Sequence, residues 1–380
     1  LFAGALNAEQ YIALHKGWTW TSFYVNDSNF NNLKNLFEEL SLTDGDLLKS
    51  QDKFSRFEAG DWFGSLVNLN ANSMYKINLT NANNLTLSGS DVDETAINLS
   101  INEGWNWLAF PIHKNISLAE ALTYFNPSDG DVIKDQFSFA IYDNNSGWSG
   151  TLNYMQVNRG YMLRSSTDQT INFPNTNSSA RNAFKGLQTP LESIETYARY
   201  AYNMNIVAEL PGSSDFTNIS LFDSKGVLRG SGDVIAIGGR QLSFITVFSD
   251  KEETLNVQLS NNAITVQSTQ TIPFENNKIL GTMDSPVLIQ TESLTVDKLS
   301  AQNIRIHPNP FENTIHIDSS KAREEVIQIV LYTVIGTLIE ETNTIDTIHT
   351  IDTKELAQGV YLLKIITSKG TTIVKKIIKE

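Results

Sequence analysis

Two copies of one acidic triplet, Asp44-Gly45-Asp46 and Asp129-Gly130-Asp131, are the residues best spaced to gather oxygen ligands in this chain. Calcium takes several carboxylate and carbonyl oxygens from one loop, and neither loop supplies the further acidic ligands such a site uses. The simpler reading is a tight Asp-Gly turn whose second Asp accepts backbone hydrogen bonds, so no metal ligand is assigned. Tryptophans offer a second chemistry, stacking on sugar rings. Trp18 and Trp20, like Trp105 and Trp107, are two residues apart and share a strand face, the pattern of a buried core. Trp62 and Trp148 stand beside Gly64 and Gly150 in loop-like sequence and are the candidate ligand aromatics, with a surface glycan as their partner. Catalysis finds little support. His15, His113, His307, His316 and His349 are scattered without metal-ligand spacing, and no nucleophile elbow, phosphate loop or dinucleotide fingerprint occurs. Carboxylate pairs assembled from distant strands leave no mark in a single sequence. The expectation is a protein without catalytic residues or cofactor.

The elements that hold these residues can be read from composition and pattern. With 380 residues, 41% hydrophobic and 18% charged, the chain is globular and long enough for several modest cores. Its formal charge of -14 disfavours nucleic acid and anionic lipid as partners. That charge is uneven: residues 301–380 hold nine Lys/Arg and ten Asp/Glu, 9 − 10 = −1, leaving −13 on the rest. Without cysteine there are no disulfides or thiolate chemistry. No apolar run approaches the roughly 18 residues of a membrane-spanning helix. The chain opens at Leu1 with neither an initiator Met nor a basic-then-apolar leader, which predicts that a signal peptide, with or without further domains, has been removed or lies outside it.

A repeat dominates the first half. Gly17-Trp18-Thr19-Trp20 recurs as Gly104-Trp105-Asn106-Trp107 (105 − 18 = 87), and Asp44-to-Gln51 recurs as Asp129-to-Gln136 (129 − 44 = 85). Trp62 recurs as Trp148, and Tyr75 as Tyr161, both at 86. Alternation predicts strands, and the capping box Ser117-Leu118-Ala119-Glu120 predicts one helix over Ser117 to Phe125, with Phe30 to Leu40 its counterpart. Asn175-to-Ser179 reads as a linker. Beyond it, Met204 to Glu209, Val234 to Ile237, Leu242 to Phe248 and Thr254 to Leu259 have the spacing of a β-sandwich. The fold class expected is mainly β: tandem small β-rich repeats each with one helix, then two antiparallel β-sandwich domains. The boundaries are 1–90, 91–178, 181–298 and 302–380.

Three motifs fall in order in the last segment: His307-Pro308-Asn309-Pro310, Leu331-Tyr332-Thr333-Val334-Ile335-Gly336, and Leu356-Ala357-Gln358-Gly359-Val360-Tyr361. A basic final strand with Lys375 and Lys376 follows. The prolines belong at a strand start or edge because they lack an N–H, and the last strand is expected to present an exposed edge. This order and spacing resemble the type A C-terminal sorting domain of Bacteroidota type IX secretion substrates, with Thr333 where the family usually has Asp. The preceding segment is similar to a β-sandwich module that often stands before such a domain. The resemblance implies export through the periplasm and outer membrane, to be secreted or attached to the cell surface. It implies recognition by the outer-membrane translocon and its shuttle protein, and removal of the domain by a sortase-type surface peptidase. The recognition residues implied are Pro308, Asn309, Pro310, Tyr332, Gly336, Leu356, Gly359, Tyr361, Lys375 and Lys376. The function expected is that of exported surface cargo with a non-catalytic adhesion or ligand-binding role, which includes gliding. The alternative is the accessory tail of a larger secreted hydrolase whose catalytic domain lies upstream of residue 1.

Overall fold

The computed structural model describes residues 8–174, 194, 196–212, 214–290, 304–322, 325–333, 337–343, 346–368 and 372–380. By its internal contacts the chain forms two compact units, Leu1–Ile289 and Gln290–Glu380. The linker expected at Asn175-to-Ser179 lies outside the described residues.

The first unit opens with two five-stranded antiparallel sheets. Strands β1 (Gly17–Thr21), β2 (Leu47–Lys49), β3 (Phe54–Glu58), β4 (Asp61–Gly64) and β5 (Tyr75–Leu79) pair in the order β1-β5-β2-β3-β4. Strands β6 (Gly104–Leu108), β7 (Val132–Lys134), β8 (Phe139–Asp143), β9 (Gly147–Gly150) and β10 (Tyr161–Ser165) pair as β6-β10-β7-β8-β9, the same order. In the first sheet, Leu48 and Ile77 pair in register and pack with Ile12, Phe23, Phe30 and Leu85. In the second, Ile133 and Leu163 pair likewise and pack with Phe110, Leu118, Phe125 and Ile171. Each core is closed by a short antiparallel pairing of the segment's two ends, Ala8–Leu14 with Asn83–Asp91 and Leu99–Ile101 with Gln169–Ile171.

The expected helices do not form at their expected length. Only single α turns appear, α1 (Leu33–Leu36) and α2 (Leu118–Ala121). The Ser117 cap is present, its hydroxyl accepting from the Glu120 N–H at 3.2 Å. Leu122 and Phe125 reach the core from the turn that follows, and without their contribution to a longer helix the nucleation cost of a short one is not repaid.

The Trp-x-Trp pairs also correct an expectation. They share a face, but not the face that fills the core of their own sheet. Trp20 and Met74 cluster with Met162, Trp105 and Trp107 of the other sheet. Lys76, opposite Trp20 in register, holds its ammonium 3.6 Å from the Trp20 ring centroid and 4.4 Å from that of Trp107. Two glutamines at equivalent positions, 136 − 51 = 85, reach across reciprocally. The Gln136 amide donates to the Trp18 carbonyl at 2.9 Å and accepts from the Trp20 N–H at 3.2 Å. Gln51 accepts from the Trp107 N–H at 2.7 Å. The two sheets thus meet like the subunits of an isologous dimer.

A sandwich completes the unit. Strands β11 (Tyr202–Leu210), β12 (Asn218–Phe222), β13 (Leu228–Ile237), β14 (Arg240–Ser249), β15 (Glu253–Ser260) and β16 (Thr265–Phe274) pair as β16-β15-β12-β13-β14-β11, with short segments at Ile279–Leu280 and Val287–Leu288 added beside β11. Strand β13 pairs with β12 through Leu228 to Asp233 and with β14 through Val234 to Ile237, and so carries the sheet over onto itself. At Gly230 a Cβ would lie 2.3 Å from the Thr246 carbonyl, so the close approach of β13 requires glycine. Ile206 and Val247 from one half meet Leu221, Val257 and Phe274 from the other. The outer face of β11 and β14 receives the second sheet: Val207, Leu242 and Phe244 pack with Val132, Phe139 and Ile141. Lys134 is fully buried in this contact, donating to Asn203 Oδ1 at 2.7 Å and Asn277 Oδ1 at 2.9 Å, with Trp105 beside it.

The second unit is also a sandwich. Strands β17 (Arg305–His307), β18 (Thr314–Asp318), β19 (Val326–Thr333), β20 (Leu338–Thr342), β21 (Ile348–Asp352), β22 (Gly359–Thr367) and β23 (Thr372–Lys379) form a three-stranded sheet, β17-β18-β21, and a four-stranded sheet, β20-β19-β22-β23. Ile315, Ile317 and Ile351 pack against Ile329, Leu331, Leu363 and Ile365.

Candidate functional site

Strand β23 ends the four-stranded sheet, and a free strand edge invites pairing with another chain. Here the edge is partly covered, which corrects the expectation of an exposed final strand. Asn309 accepts from the Ile378 N–H at 2.9 Å and donates to the Lys376 carbonyl at 3.2 Å. Phe311 donates its N–H to the Ile378 carbonyl at 2.8 Å, and its own carbonyl accepts from Glu380 at 3.0 Å. The physical reason lies in residue chemistry. Pro308 and Pro310 have no N–H to contribute, so the Asn309 side chain does the pairing between them.

The residues singled out from sequence divide by exposure. Pro308, Asn309, Pro310, Lys375 and Lys376 are exposed, and the Asn309 contact joins the proline ridge to the end of β23. Tyr361 is buried, with its hydroxyl donating to the Ala357 carbonyl at 2.6 Å and its ring beside Phe311. Leu356 packs on the same core, and Gly359 opens β22 opposite Lys379. Tyr332 is half-buried two strands from the ridge, in register with Leu362, which in turn faces Lys376. Gly336 lies outside the described residues. Phe311 was not singled out, although it is fully buried, lies under the Lys379 ammonium and anchors the ridge. Its place directly after two prolines was the available signal.

Residues 305–380 match the secretion system C-terminal sorting domain. The sorting domain marks the chain as type IX secreted cargo, exported across the outer membrane to the cell surface or the environment. It implies an encounter with the type IX secretion machinery. No curated protein matches the chain. Among solved structures, a biofilm associated protein BSP domain aligns at 11% identity and a TM-score of 0.16, too low to carry an argument. That alignment covers 98% of this chain, which spans 59% of the other.

Upstream of the sorting domain, the candidate groups are engaged in structure. Asp46 accepts from the Thr43 N–H, the Thr80 N–H and the Thr80 hydroxyl, and Asp131 does the same with Ser128 and Ser166. Asp129, Asp143 and Asp284 bring carboxylate oxygens within 4.8 Å of one another, a grouping across distant segments that the triplet's spacing did not reveal. Hydrogen bonds from Ser146 hold the Asp143 carboxyl below its usual range. Trp62 and Trp148 are half-buried: Trp62 lies against Phe37 and Phe57, and Trp148 against Phe125 and Tyr142. Phe54 and Phe63, at 52% and 58% exposed, stand further into solvent than either tryptophan and lie on neighbouring strands. Burial pushes the Lys134 ammonium down to about 7 and lowers that of Lys76 strongly, with Lys134 and Lys49 adding repulsion.

Proposed function

We propose that the chain is a non-catalytic surface protein of a Bacteroidota bacterium, with adhesion or ligand binding, gliding included, as the work of its N-terminal unit. The outer-membrane translocon and its shuttle protein read the exposed ridge Pro308-Asn309-Pro310 together with Lys375 and Lys376, and a sortase-type surface peptidase then removes the domain. The observation that carries the reading is the sorting domain match with its ridge bonded to the final strand. Supporting a non-catalytic unit, the reactive groups described above already hold turns and module contacts together. Deletion of residues 304–380 tests export: the protein is expected to accumulate in the periplasm, and normal surface display of the deletion would refute the reading. A catalytic domain encoded upstream of Leu1 would instead favour the accessory-tail alternative.

A further inference from the structure

A cleft of about 610 Å³ opens on the sandwich, over neighbouring side chains of β12, β15 and β16. Its volume falls in the range of small-ligand sites, roughly 300–1,000 Å³. Phe222, Asp223, Asn256, Gln258, Gln267 and Thr269 line it. Two pairing irregularities adjoin it, one at Leu221/Phe222 and one where Asn256 to Gln258 face the longer stretch Gln267 to Thr271. Such bulges re-aim side chains and gather beside functional sites.

The chemistry of the lining selects a ligand class. Asp223 is its only charged residue, and its carboxylate is taken up by the Lys225 and Val227 N–H groups and by Arg229 at 3.0 Å. A charged ligand therefore meets no free counter-charge. The remaining groups are amides and hydroxyls, which both donate and accept, as sugar hydroxyls do. Gln267 is fixed by donating to the Val257 carbonyl at 3.0 Å. Gln258 is half-buried, and its amide has no protein partner among the described residues. Phe222, also half-buried, offers an apolar surface at the rim.

We propose that this cleft binds a neutral sugar unit of a glycan, with Gln258 and Gln267 bonding its hydroxyls and Phe222 meeting its C–H face. The assignment rests on the ligand-binding reading of the exported unit and gives that reading a place. Calorimetric titration of the full chain with neutral hexasaccharides of glucose, xylose, mannose and N-acetylglucosamine tests it. At least one is expected to bind, Gln258→Ala to weaken it about tenfold, equivalent to about 1.4 kcal/mol, and Gln267→Arg to abolish it. Gln267 is exposed, so an unchanged melting midpoint of Gln267→Arg shows that the fold is intact. If none of the four binds while cells lacking the protein lose surface attachment, the ligand-binding reading stands and the cleft assignment falls. It falls equally if binding survives both cleft variants and disappears in Phe54→Ala or Phe63→Ala.

Discussion

Lys134 makes the stability of the N-terminal unit depend on alkaline pH. Its ammonium is fully buried and meets two neutral amide oxygens and a tryptophan ring, with no carboxylate among these contacts. Burial lowers its pKa from 10.5 to about 7. In the unfolded chain the group keeps its ordinary value. Below pH 7 both states carry the proton, and nothing changes with pH. Between about 7 and 10.5 the unfolded state holds more protons, so stability rises by up to about 1.4 kcal/mol per pH unit. The full interval corresponds to about 5 kcal/mol, an upper figure for one group. All six tryptophans lie in the first unit, so urea unfolding followed by tryptophan fluorescence reports on it alone. Lys134→Met removes the titration and leaves Asn203 and Asn277 short of a donor at every pH, a constant cost. The difference in stability between the parent chain and Lys134→Met should therefore grow in the parent's favour from pH 7 to 10. Lys76 is present in both proteins with burial, the first cause of its lowered pKa, in common; only the lesser repulsion from Lys134 is lost in the variant. A difference constant within about 0.5 kcal/mol over that range would refute the reasoning.

Gln136→Ala should cost about 1–3 kcal/mol, since it strips two bonds from a buried strand edge, whereas Gln51→Ala, exposed and making one, should cost under about 1 kcal/mol. Thermal unfolding of the two variants decides, and equal losses would show that the glutamines do not carry the contact. Asn309→Ala should leave the Ile378 amide open to solvent and destabilise the sorting domain by about 1 kcal/mol. Amide hydrogen exchange reads this directly, and unchanged protection at Ile378 would remove the capping role given to Asn309.

Period was legible in the sequence, whereas orientation was not. The apolar alternation of Leu242 to Phe248 lies within strand β14, yet both of its faces are buried, one in the sandwich core and one against the second sheet. A strand between two modules has no solvent side to declare which face is which. The same limit governed Trp18 and Trp20: their spacing placed them on one face, and only the packing of a second sheet decided that this face meets Met162 and Trp107. At Ser117 the cap was readable because it is local, while the end of the helix depended on what Leu122 and Phe125 reached. The ridge was readable as Pro-Asn-Pro, but its bonding partner lies at Ile378, far along the chain. Long-range pairing of that kind leaves no trace in local spacing.

The bond between Phe311 and the end of β23 spans 378 − 311 = 67 residues. A chain cut short before Lys376 leaves Asn309 and Phe311 without these hydrogen-bond partners. The ridge thus gains these bonds only after the strand that ends at Lys379 has been made, and the recognition role proposed for it would then favour domains synthesised through that strand.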